Sequence, residues 1–252
     1  MMSKVVVFTG PTIPAYEASD ILQAIYLDPV SQGDVHEALI TYKPEIIAII
    51  DGYFENVPSV WHKEILYAMS QGIHIFGSSS MGALRAAELH VFGMRGIGKI
   101  FNAYKEGIIE DDDEVAVFHG PKELGYPALS EAMVNIRQTC QDALDSKIIS
   151  REFYSSFLQT AKNLYYKERT YHRILSSMDQ NESWHDDKKH FSAWLSYGCR
   201  NLKKEDAVLL LHEIKALRDT VLPPKEIRYH FEQTSMWLQS MKGNGINAKY
   251  SK

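Results

Sequence analysis

The chain has two cysteines, Cys140 and Cys199, and no CxxC pair. Neither a disulfide framework nor a cysteine-held zinc site is expected. No apolar run approaches the ~18 residues of a membrane span, so no membrane association is expected. An excess of positive charge is also missing: 27 Lys and Arg stand against 32 Asp and Glu, for a net charge of -5. That balance argues against nucleic acid as a general partner, which would need a basic face. The opening KVVVFTG lacks the basic-then-apolar order of a signal peptide, and a cytoplasmic setting is the expectation. Repeats and low-complexity stretches are absent too, and no spacing indicates a metal or cofactor.

What is present is apolar runs that end in glycine. Val5 to Phe8, Ile46 to Ile50 and Ile73 to Phe76 read as strands buried on both faces, closing at or beside Gly10, Gly52 and Gly77. Helix-length segments separate them, the alternation of a parallel sheet with crossover helices. A fourth strand is expected at Glu114 to Phe118, and a helix from Pro58 to near Gly72. Beyond about residue 127 the strand signal gives way to helical spacing around Met133 to Leu144, Phe153 to Tyr165, Phe191 to Leu195, Ala207 to Leu217 and Ile227 to Met241. Asp179 to Lys189 reads as a loop, Pro223-Pro224 as a break, and the stretch after Lys242 as frayed. The expected fold is α/β: a small, mostly parallel sheet flanked by helices over residues 1–145, then an all-helical region over 146–252.

The most informative string is IHIFGSSSMGAL, residues 73 to 84. A strand that turns sharply into a helix leaves its junction side chain on the rim of the sheet, beside N–H groups that have no intrahelical partner. Those N–H groups and the helix dipole would stabilise an oxyanion formed at a serine there. Ser78 to Gly82 match the second half of a nucleophile elbow, with Ser78 in place of the first glycine. Serines before a helix also serve simply as N-caps. Gly82 and Ala83 would let the helix pack close to its strand, which singles out Ser80 as nucleophile, with Ser79 beside it and the backbone of Met81, Gly82 and Gly10 as candidate oxyanion donors.

Candidate bases are Lys63, which needs its pKa lowered by its surroundings, and His62, which needs less tuning. A core stripe of Trp61, Ile65, Ala68 and Met69 would place Lys63 on the opposite side of its helix. Asp51 at a strand end either orients the site or forms a turn. Arg85 could grip a substrate carboxylate or pair with Glu88 three residues on. Asp111, Asp112 and Asp113 read as a solvated acidic loop or a docking patch rather than a metal site. Gly93, Gly96 and Gly98 have the wrong order for a phosphate loop. Trp184, Trp194 and Trp237 read as filling helix interfaces, and the scattered C-terminal histidines as surface or interface residues.

The strings VVFTGPTI, IIDGYFENVPSVWHKEILYAMSQGIHIFGSSSMGALRAAEL, FGMRGIGKIFNAYKEGIIEDDDEVAVFHGP and LSEAMVNIR together resemble the TfuA-like family over roughly residues 4 to 140. The resemblance implies a partner of a YcaO enzyme, which uses ATP to activate a peptide amide so that sulfide replaces its oxygen, giving a thioamide. It further implies that sulfide is released from the C-terminal thiocarboxylate of a small ThiS-like sulfur carrier by a Ser-Lys pair. Carried onto this chain, Ser80 is the nucleophile and Lys63 its base. A carrier tail of that kind is extended and glycine-terminated, so it needs a narrow slot. The alternative is a non-catalytic adaptor that docks the YcaO enzyme to its precursor peptide.

Overall fold

The computed structural model describes residues 4–55, 57–178, 184–218, 222, 225–237 and 239. Five strands, β1 (Val5–Phe8), β2 (Ile25–Leu27), β3 (Ile46–Ile49), β4 (His74–Ser78) and β5 (Arg95–Ile97), form one sheet in the order β2-β1-β3-β4-β5. Every pairing is parallel, for example Val6 opposite Ile47 and Ala48 opposite Phe76. The fold is α/β, as expected. β1, β3 and β4 are the three anticipated strands, and they are buried on both faces because helices cover both.

The helices between strands are α1 (Ala15–Ile21), α2 (Asp34–Tyr42), α3 (His62–Ser70) and α4 (Met81–Leu89), and α5 (Lys99–Lys105) follows the last strand, β5. They are followed by α6 (Met133–Asp145), α7 (Arg151–Asn163), α8 (Tyr171–Ser177), α9 (His185–Gly198) and α10 (Leu202–Arg218). On one sheet face Val6, Phe8, Ile47, Ile49 and Ile75 pack with α2 to α5. On the other, Val5, Val7, Ile46, Ala48 and Phe76 pack with α1 and with Ala207, Leu210, Leu211 and Ile214 of α10. Helices α6 to α9 enclose their own core around Phe153, Phe157, Phe191 and Trp194. Among the described residues no helix is long and apolar enough to cross a membrane.

Several expectations are corrected. Residues 114–118 form no strand. Asp112–Glu114 is a short 3-10 turn, and Val115 and Val117 join the core without a neighbouring strand. The helix anticipated from Pro58 starts at His62. Residues 185–189, read as loop, open α9, while 179–183 lie outside the described residues, as do Pro223-Pro224 and the stretch after Lys242. Residues 227–234 are not helical. The acidic run is neither free nor solvated throughout: Lys162 reaches Asp111 (2.9 Å), Asp113 and Glu114 (3.0 Å), Arg137 pairs with Glu114 (2.9 Å) and Arg169 with Asp113 (2.8 Å). Those carboxylates share one ammonium where a metal would otherwise be sought.

Glu64, in the first turn of α3, is buried, and its Oε1 accepts the N–H groups of Gly33 (2.7 Å) and Trp61 (3.4 Å), tying the start of α2 to that of α3. Its Oε2 is buried without a partner among the described residues. Burial pushes the Glu64 pKa up to about 7 from an ordinary 4.5. A carboxyl raised on folding contributes stability that is complete below its unfolded value and is lost as pH rises through its folded value. The stability of the wild type relative to Glu64→Gln should therefore fall by about 2 kcal/mol between about pH 5 and pH 8, as read from denaturant midpoints. A flat difference would refute the assignment.

Candidate active site

The strand order reverses between β1 and β3, and in such sheets ligands bind where the carboxyl ends of the strands diverge. A cavity of about 150 Å³ opens there, lined by Pro11, Asp51, Gly52, Tyr53, Phe54, Val57, Ser80, Val117, Phe118, His119, Tyr166 and Lys167. Its Asp51 wall is rigid. One Asp51 oxygen accepts the N–H groups of Gly10 (2.9 Å) and Thr12 (3.0 Å), and the other accepts the Thr12 hydroxyl (2.6 Å). Asp51 thus shapes the β1–α1 loop.

The serine turn divides its three hydroxyls. Ser78 Oγ donates to the carbonyls of Ile97 (2.8 Å) and Asp206 (3.0 Å), and Ser79 Oγ to the carbonyl of Lys203 (2.7 Å). Ser79 has φ +66°, a region that non-glycine residues seldom occupy, and the Ser80 N–H closes a three-residue turn onto the Ser78 carbonyl (2.8 Å). Such strain persists where surrounding contacts over-determine it, and here the first turn of α10 does so. The result is that Ser80 alone of the three lines the cavity, and its hydroxyl makes no hydrogen bond among the described residues.

Close packing of α4 against the sheet also shapes the turn. A Cβ on Gly82 would lie 1.8 Å from the Ile49 carbonyl oxygen, and one on Gly77 would lie 2.0 Å from the Gly82 oxygen. The Gly82 N–H donates to the Ile50 carbonyl (3.3 Å) and that of Gly10 to Asp51, so neither is free to hold an oxyanion. The Met81 N–H, next to Ser80 at the start of α4, has no acceptor among the described residues.

Neither base candidate from the sequence lines this cavity. Lys63 Nζ donates to Thr234 Oγ1 (3.1 Å) and lies 5.6 Å from the Phe231 ring centre. The inward stripe of α3 is Glu64, Ile65, Ala68 and Met69, which turns Lys63 away. His62 Nε2 pairs with Glu88 (2.7 Å), and Arg85 spends its guanidinium on Glu88 (2.8 Å) and the Val60 carbonyl (3.2 Å). Arg85 thus takes the intrahelical pairing rather than a place at the cavity.

Two further basic residues border the cavity or the serine turn: His119, which the sequence places at the rim of the sheet, and Lys203, which the sequence reading did not assign. His119 lines the cavity. Its Nδ1 donates to the Gly120 carbonyl (2.9 Å), so in the neutral ring the lone pair is on Nε2. Lys203 is 3% exposed and hydrogen-bonds through Nζ to the Val115 carbonyl at 2.8 Å. Burial pushes its pKa down, against the opposing fields of Asp51 and Glu131. Its backbone carbonyl accepts the Ser79 hydroxyl, so the first turn of α10 is fixed against the serine turn. A sequence signal for Lys203 did exist in its position on the apolar side of α10, beside Leu202 and Ala207.

No curated protein matches the chain. The family model described as TfuA-like protein matches residues 51–170. That stretch contains Asp51, the serine turn, His119 and Lys167, and over it the chain is similar to the TfuA-like family.

Proposed function

We propose that the protein is a hydrolase-like partner of a YcaO enzyme, releasing sulfide from a thiocarboxylated ThiS-like carrier through Ser80. The observation that supports this reading most directly is the unpartnered Ser80 hydroxyl in a narrow cavity beside the open Met81 N–H. A cavity of about 150 Å³ suits a glycyl terminus rather than a bulky side chain.

The lysine we assign to the Ser-Lys pair is Lys203. Burial pushes its pKa down, which favours the neutral amine that a base must be. Ser80 Oγ attacks the thiocarboxylate carbon as its proton passes to Lys203 Nζ, and the Met81 N–H stabilises the oxyanion. The carbon–sulfur bond breaks, and sulfur leaves as hydrosulfide with the proton returned by the lysine. Water then hydrolyses the acyl-serine, giving a carrier carboxylate and regenerating Ser80.

The test mixes the intact protein with thiocarboxylated carrier and follows sulfide by trapping and the carrier by mass. The expected result is stoichiometric sulfide with conversion of thiocarboxylate to carboxylate. No sulfide above the uncatalysed rate, together with full support of thioamidation from added sulfide, would leave the adaptor reading instead.

A further inference from the structure

At the mouth of the Ser80 cavity three donors converge on a single oxygen. Glu55 Oε2 accepts the hydroxyls of Tyr165 (2.8 Å) and Tyr166 (3.1 Å) and the ammonium of Lys167 (3.0 Å). Tyr166 and Lys167 line the cavity, whereas Glu55 does not. The ammonium also lies over both tyrosine rings, 5.4 and 5.5 Å from their centres. Hydrogen bonding to Lys167 holds the Glu55 carboxyl below its ordinary range, and burial pushes the Tyr166 phenol up to about 12, so the group is one anion among neutral and cationic donors.

The two sides of this contact are built differently. The donors sit on a turn, residues 165–168, fixed from beneath by the fully buried Arg169. Its guanidinium reaches the Ala161 carbonyl (3.0 Å), the Leu164 carbonyl (3.2 Å), the Asp113 carbonyl (3.0 Å) and the Asp113 carboxylate (2.8 Å). Glu55 comes from the loop after β3, is about half exposed, and has φ +60°, a conformation disfavoured for a glutamate. A rigid set of donors is thus filled by an acid held in an uneasy backbone conformation, beside a cavity that admits a chain end.

We infer that Tyr165, Tyr166 and Lys167 form a receiving site for the C-terminal carboxylate or thiocarboxylate of an extended chain, and that the Glu55 carboxylate occupies it in the free protein. The exchange replaces one carboxylate by another on the same donors, so its electrostatic cost is small, and it frees Glu55 from its conformation. Only the thiocarboxylate part of this statement rests on the Ser80 reading. Binding of a plain carboxylate does not require hydrolysis.

The probe is a synthetic peptide ending in two glycines, as the free acid and as the C-terminal amide, titrated calorimetrically into the intact protein. The free acid should bind about tenfold more tightly than the amide. Glu55→Gln should tighten the acid by a similar factor by weakening the internal occupant, and Lys167→Met should weaken it by about tenfold. Equal affinity for acid and amide, or an affinity unmoved by Glu55→Gln and Lys167→Met alike, overturns the receiving site. Acid-selective binding without sulfide release in the carrier assay would retain it and reject the hydrolase. Sulfide release with indifferent peptide binding would do the reverse.

Discussion

Sulfide release from thiocarboxylated carrier should fall by about 10³-fold or more in Ser80→Ala and in Lys203→Met, and the double variant should fall no further. Groups that act as one unit are non-additive, because losing either leaves the other without its role. A merely structural lysine would give a different pattern. If Lys203 were an ammonium serving as counter-ion to the buried Asp51 and Glu131, removing it would strand buried charge and cost about 3–5 kcal/mol of stability. A neutral amine loses only its bond to the Val115 carbonyl, worth about 1–2 kcal/mol. The decisive pair of measurements is therefore the turnover of Lys203→Met and its denaturant midpoint. Preserved turnover there, with loss in His119→Ala, would move the proton to the imidazole of the cavity wall, whose Nε2 is open. Turnover preserved in Ser80→Ala would remove the mechanism.

Gly82→Ala should destabilise the protein by about 3 kcal/mol, although the same change in an exposed helix stabilises by about 1 kcal/mol. The sign reverses because the new Cβ would lie 1.8 Å from the oxygen and 2.6 Å from the carbon of the Ile49 carbonyl. Ile49 belongs to β3, paired on both sides by β1 and β4, so neither its carbonyl nor its strand can step aside cheaply. The first turn of α4 must lift instead, taking with it the Met81 N–H and the Ser80 side chain. Thermal unfolding followed by circular dichroism reads the loss. A midpoint at or above that of the wild type would mean that α4 does not approach β3 so closely.

The sheet centre was legible because β1, β3 and β4 are short apolar runs closed by glycine or serine, and burial on both faces leaves no polar alternation to confuse them. The edges were not. β2 has only partly buried residues, and β5 is the three-residue Arg95–Ile97, in which a charged side chain survives by laying its guanidinium 4.7 Å from the Phe76 ring centre. The run at residues 114–118 misled for the opposite reason: its Val115 and Ala116 are apolar and buried, but it packs as a loop tied to α6 and α7 by ion pairs. At the site, the turn chemistry of Ser80 and the close packing of Gly82 could be read locally. The contact of Lys203 with the serine turn could not, since it joins positions 124 residues apart and nothing around Lys203 marks a distant serine.

The Ser78 and Ser79 hydroxyls end on carbonyls of α10, which lies beyond the matched residues 51–170, and β1 and β3 precede that match. The stretch that resembles the TfuA-like family is therefore not a portable unit. Grafted or expressed alone, it would carry the GSSSMG letters without β3, whose Ile49 carbonyl seats α4, without β1 paired to it, and without the helix that orients the turn. Engineering that borrows this chemistry has to move the whole interlocked set, from the first strand through the last described long helix.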